Sequence, residues 1–173
     1  MLIILFLISG YAFAVFVLLR LIAPFMGFRK YALPANIPPE VRQAILELES
    51  RSADQASYLK ETYDFILQKN LQQWRHTRGK AALHIHRLFL RDLSKIWNTQ
   101  GFVYCTGINF VTYVLLARSK FFVESDVRLR HVFANMVPHQ YLQVKVGEKW
   151  VDADPAGIGI RGKPLGTHLA GFG

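Results

Sequence analysis

From Cys105 to Ala117 the chain is apolar around the full circumference of a helix, with Ile108, Phe110, Val111, Val114, Leu115 and Leu116 falling on every side. A helix with no polar face has to be enclosed by the rest of its domain. The sequence that follows supplies one of the enclosing layers. Phe121 to Val123 and Val127 to Met136 are strand-like apolar runs, the second with Arg128 and Arg130 on either side of Leu129 as in a half-buried strand. Val137-Pro138 marks a strand start, and beyond His139 the residues Leu142, Val144 and Val146 alternate with Tyr141, Gln143 and Lys145. Gly147-Glu148 gives a turn, and Lys149 to Asp154 returns with Trp150, Asp152 and Asp154 on one face. The expected fold class is α+β, with helices first and then the buried helix packed on a small antiparallel sheet.

Upstream, Glu40 to Ser50 places Val41, Ala44, Ile45 and Leu48 at helical spacing. Ser52-Ala53-Asp54-Gln55 resembles a helix entry, after which Leu59, Tyr63, Ile66 and Leu67 form a second amphipathic face. Between Trp74 and Lys80 the chain turns basic. The next helix is expected to carry Lys80, His84, Arg87, Arg91 and Lys95 down one side and Ile85, Phe89, Leu93 and Ile96 down another. Such a basic stripe is either a solvated face or a surface for anionic headgroups, at about 1 kcal/mol per well-placed charge. His84 and His86, two apart on a helix, point in different directions and do not form a metal site. The glycine-rich tail from Ala156 to Gly173 is expected to loop over or beside the sheet.

Leu2 to Leu19 contains no charged residue and is dominated by Leu, Ile, Phe and Val. As a helix it is about 27 Å long, close to the hydrocarbon thickness of a bilayer. It extends to Ala23 if Arg20 snorkels to the interface. Tyr11-Ala12-Phe13-Ala14 offers a signal-peptidase-like site. A positive n-region is missing, however, and the apolar stretch runs past that site, which favours a retained anchor. Arg20, Arg29 and Lys30 follow the span and no charged side chain precedes it, so the positive-inside rule places the domain on the cytoplasmic side. Tyr31 to Pro39, with Pro34, Pro38 and Pro39, has the composition of a stiff extended linker. The expected organisation is a membrane anchor with a basic flank over 1–30, a linker over 31–39 and one domain over 40–173.

The chain has a single cysteine, Cys105, which cannot form an internal disulfide. Gly101 marks a loop just before it, so the cysteine or Thr106 opens the apolar helix. The N–H groups and macrodipole of a helix N-terminus favour an anion and push a thiol there toward thiolate. The hairpin can set His139, at the start of one strand, near Asp154 at the end of the next. Thiolate, imidazole and orienting carboxylate together have the logic of a nucleophilic triad. Singly, a buried cysteine is more often a small hydrophobe and a histidine beside proline a strand-end residue. It is the ordered combination that favours chemistry. His131, mid-strand, is the alternative base, and Asp152, on the strand face of Asp154, is second candidate for the orienting role.

Cys105 at the start of a buried helix, His139 followed by Tyr141, and Trp150 ahead of Asp154-Pro155 resemble the catalytic core of the transglutaminase-like superfamily of papain-like cysteine enzymes. The resemblance covers roughly the second half of the chain. The chain departs from the family in having Val103 where glycine is frequent, and Tyr141 and Gln143 where tryptophan and glutamate are common. The resemblance implies acyl transfer on a protein or peptide amide, by hydrolysis or transamidation, with Cys105, His139 and Asp154 as the triad. The Cys105 N–H is then the natural oxyanion donor, with Gln100 or Trp97 as side-chain alternatives. This chemistry calls for no cofactor and no metal. The rival reading is a catalytically inactive transglutaminase-like module for binding or assembly at the membrane. The net charge of +9 indicates an anionic partner such as lipid. Nucleic acid fits less well, since neither a known motif nor the aromatic interleaving of single-strand binders is present.

Overall fold

The computed structural model describes residues 2–14, 17, 21, 31–77, 81–99, 103–134, 137–156 and 163–171. Helix α1 (Leu2–Phe13) leaves its apolar side chains exposed, Phe6 at 80%. No helix among the described residues is long and apolar enough to cross a membrane. Of the span expected to reach Ala23, residues 15–16, 18–20 and 22–23 lie outside the described set, as do Arg29 and Lys30.

The stretch expected to be a linker is part of the packed domain instead. Tyr31 is 5% exposed, with its ring centroid 5.5 Å from that of Phe110 and 5.2 Å from that of Tyr113. Arg118 Nη2 donates to the Pro34 carbonyl at 2.8 Å. The prolines stiffen this segment, but the tyrosine ring draws it onto the core, so the packed unit includes Tyr31 and not only the residues from Glu40 on.

Helix α2 (Pro39–Arg51) opens with proline, whose missing N–H would have had no partner in the first turn anyway. It buries Val41, Ala44, Ile45 and Leu48. Helix α3 (Gln55–Thr77) is entered through Asp54, whose Oδ1 accepts from the Ser57 N–H at 2.8 Å. It buries Tyr58, Leu59, Tyr63 and Ile66. The single basic helix expected next does not form. A 3-10 helix (Ala81–Phe89) with a non-helical His84 is followed by a separate short helix, α4 (Leu93–Asn98). Asp92 starts α4 by accepting from the Lys95 N–H at 2.9 Å, a bond available only where the helix begins anew. His84 and Arg87 thus sit on a different element from Lys95, and no continuous stripe joins them. Among the described residues no group of three or more His, Cys, Asp or Glu could hold a metal.

Helix α5 (Cys105–Ala117) is the enclosed helix, buried from Thr106 to Leu116. Val114, Leu115 and Leu116 are completely buried, each contributing about 1.5–3 kcal/mol. Helices α2, α3 and α4 pack around it, and the sheet closes another side. At Gly107 a Cβ would stand 2.7 Å from Val103 Cγ1 and 3.3 Å from Ile96 Cγ2, so glycine is what lets these neighbours come so near.

The sheet is antiparallel in the order β1 (Val127–Ala134), β2 (Val137–Val146), β3 (Lys149–Ala153). Phe121 to Val123 does not form a strand. It leads into a 3-10 turn (Glu124–Asp126) in which Asp126 Oδ2 accepts from the Val123 N–H at 3.0 Å. Gly147, at φ +57°, makes the turn from β2 to β3. Leu142, Val144 and Ala153 are completely buried on the face toward α5. The register aligns Arg128 with Gln143, Arg130 with Tyr141 and Gln143 with Asp152, which places these side chains on the opposite face with His139. Residues 163–171 cross that outer face as a strap. The Gly166 N–H donates to the Asp152 carbonyl at 2.8 Å, and the Gly171 N–H to the Phe133 carbonyl at 2.9 Å.

Candidate active site

Cys105 is the first residue of α5, following Tyr104 in extended backbone, and is half-buried. The first N–H groups of any helix have no acceptor within it, and the Cys105 N–H is one of these. His139 stands near the start of β2 and is 8% exposed, while Asp154 lies just past the end of β3 and is completely buried. Both reach the same end of the sheet because the hairpin is tight and its strands are in register, Leu142 opposite Ala153.

There the side chains meet. His139 Nε2 lies 2.8 Å from Asp154 Oδ2, and the Cys105 side chain is close enough to the imidazole to act on its charge. Burial alone would push the ring's pKa down. The hydrogen bond to Asp154 and the interaction with Cys105, reinforced by the charges of both, outweigh burial and raise the imidazole from 6.5 to about 9. The ring therefore keeps its proton near neutrality.

Asp154 is held by groups that no sequence pattern indicated. The Leu169 N–H of the strap donates to the same Oδ2 at 2.9 Å. Tyr63 Oη, from α3, donates to carbonyl oxygens of both Asp154, at 3.0 Å, and Lys163, at 2.9 Å. The strap thus binds the carboxylate itself, while α3 holds the backbone that carries it. Tyr63 was visible only as a core position of an amphipathic helix, and Leu169 acts through its backbone, which leaves no signature in sequence.

The other candidates lie elsewhere. Asp152 does not orient His139, because both its oxygens are engaged. Oδ1 accepts from Gln143 Nε2 at 2.6 Å, and Oδ2 lies 2.7 Å from His168 Nδ1. The His168 ring in turn stacks on Tyr141 at 4.2 Å, a contact that seats the strap on the sheet. Trp97 is in the helical layer, stacked 6.0 Å from Phe65 with Lys69 Nζ 4.2 Å above its ring, and it makes no hydrogen bond to the site. Its size and apolar body win it a core position over a polar role. His131 pairs with Gln140 in the register and so occupies the opposite face of the sheet from His139. Gln100 and Gly101 lie outside the described residues.

No family model, curated protein or solved structure matches the chain at a significant level. The chemistry open to the site follows from its own residues: a half-buried sulfur, an imidazole whose pKa is raised and a fully buried carboxylate bonded to that ring.

Proposed function

We propose that the chain is a membrane-anchored, transglutaminase-like cysteine enzyme that transfers the acyl group of a protein or peptide amide. The observation that carries this reading is the imidazole of His139, bonded to Asp154 at 2.8 Å, with the Cys105 side chain close enough to act on the ring's charge. The Cys105 thiolate attacks the amide carbonyl carbon, forming a C–S bond, while the Cys105 N–H faces the developing oxyanion. The His139 imidazolium gives its proton to the amine as the C–N bond breaks, leaving a thioester. Water or an amine then attacks the thioester with neutral His139 as base, which returns the thiolate and yields hydrolysis or transamidation. Asp154 stabilises the charged ring and fixes its orientation. Anchoring through residues 2–23 is supported by the exposed apolar side chains of α1, and a cytoplasmic domain by the position of Arg20, Arg29 and Lys30 after the span.

The test uses the single cysteine. Iodoacetamide is expected to alkylate Cys105 quickly at neutral pH and much more slowly in a His139→Ala variant. Alkylation at the rate of a small-molecule thiol in both chains would refute an activated nucleophile. A non-catalytic binding module is the second reading, favoured by the strap that seats on Asp154 and Tyr141. It requires a Cys105→Ser variant to retain the chain's cellular role.

A further inference from the structure

The reacting end of α5 is joined to β2 by a hydroxyl that belongs to neither. Tyr31 Oη donates to Gln140 Oε1 at 2.6 Å and lies 3.3 Å from the Thr106 carbonyl oxygen. Thr106 follows Cys105 in the chain, and Gln140 follows His139. One side chain therefore touches the neighbour of the sulfur and the neighbour of the imidazole. Gln140 is completely buried, and its carbonyl accepts from Asn109 Nδ2 at 2.6 Å, so the glutamine is gripped from α5 as well.

We propose that Tyr31 is a positioning residue whose hydroxyl holds the first turn of α5 against β2 at the spacing that keeps the Cys105 thiol on the His139 ring. The proposal rests on the cysteine-enzyme reading above and adds a residue to its machinery. Burial, and after it the charge of Cys105, raises the phenol well above 10.0, so the hydroxyl stays a donor across the working range. That influence also places the ring within electrostatic reach of the sulfur. The ring contacts with Phe110 and Tyr113 locate Tyr31, but they lie further along α5 and do not reach β2. The hydroxyl is what makes the bridge.

Tyr58 offers a control, since its hydroxyl donates to the Leu115 carbonyl at 2.9 Å near the opposite end of α5. In the full chain, Tyr31→Phe is expected to slow alkylation of Cys105 at neutral pH by about tenfold and to shift the pH midpoint of the rate. Gln140→Leu breaks the same bond from the other side and is expected to do the same. Tyr58→Phe loses a comparable buried bond and is expected to leave rate and midpoint unchanged. An unaltered profile in Tyr31→Phe, or equal slowing in Tyr58→Phe, overturns the proposal. If the parent chain itself alkylates no faster than a small-molecule thiol, the enzyme reading fails, and the NMR titration of His139 decides Tyr31 separately. A midpoint lowered in Tyr31→Phe but not in Tyr58→Phe upholds the spacing role, and an unchanged midpoint in Tyr31→Phe removes it.

Discussion

Replacing Asp154 by asparagine changes the charge of the site and little of its shape. The carboxylate is completely buried, and its Oδ2 faces both His139 Nε2 at 2.8 Å and the Leu169 N–H at 2.9 Å. The amide oxygen of asparagine can take that place and meet both donors, so what disappears is the negative charge. With the imidazole at about 9, about 99% of the rings are protonated at pH 7. Without the carboxylate, burial again dominates, and the ring returns to its ordinary range or below. At a pKa of about 6.5 only roughly a quarter would be protonated at that pH. The imidazolium partner of the sulfur is then mostly lost. If the rate follows the protonated fraction of the ring, which falls from about 99% to roughly a quarter, Asp154→Asn is expected to lower the alkylation rate at pH 7 by roughly fourfold. The assay is mass-spectrometric labelling with iodoacetamide across pH, in which every adduct on a thiol reports Cys105, the one cysteine of the chain. A urea titration beside it shows that the variant is folded under the labelling conditions. A folded Asp154→Asn chain that keeps the parent's rate and pH midpoint would refute the claim that the carboxylate holds the ring in its charged form.

The same pair makes stability depend on pH. The folded-state pKa of His139 is raised from 6.5 to about 9, so its contribution is fully present below 6.5 and is lost as pH climbs through 9. The contribution is on the order of 3 kcal/mol. The difference in urea unfolding free energy between the parent and His139→Gln should shrink over that window, and a difference that stays flat contradicts the coupling. At the turn, Gly147 has φ +57°, and Gly147→Ala should lower stability by about 1 kcal/mol without altering alkylation, as read by thermal melting and by labelling. In α1, Leu7 is 66% exposed, and a Leu7→Asp change should reduce flotation of the full chain with neutral phosphatidylcholine vesicles. Unchanged flotation would remove α1 from the membrane contact.

The parts of the fold that sequence displayed are those in which one element's own periodicity decides its fate. The all-round apolar run from Cys105 to Ala117 could only be an enclosed helix, and the alternation through Leu142 and Val144 could only be a strand with one face buried. His139 and Asp154 were legible for the same reason, because a hairpin converts a separation along the chain into a distance in space. Long-range contacts were not legible in this way. Tyr31 sits in a proline-rich stretch whose composition indicates extended backbone, and nothing local reveals that its hydroxyl ends on Gln140. The strap is harder still, since it binds Asp154 through a backbone N–H that every residue but proline possesses. The basic helix failed for local reasons that outweighed periodicity: the backbone leaves the helical region at His84, and Asp92 caps a new helix instead of extending the earlier one. The division has a consequence for the site. Its reacting groups are placed by two elements that specify themselves, α5 and the β2–β3 hairpin, which Asn109 joins directly at Gln140, whereas Tyr31, Tyr63 and Leu169 arrive from elsewhere to brace them. Tyr31→Phe, Tyr63→Phe and Leu169→Pro, the last removing the N–H, should therefore alter reactivity while the elements that carry Cys105, His139 and Asp154 persist.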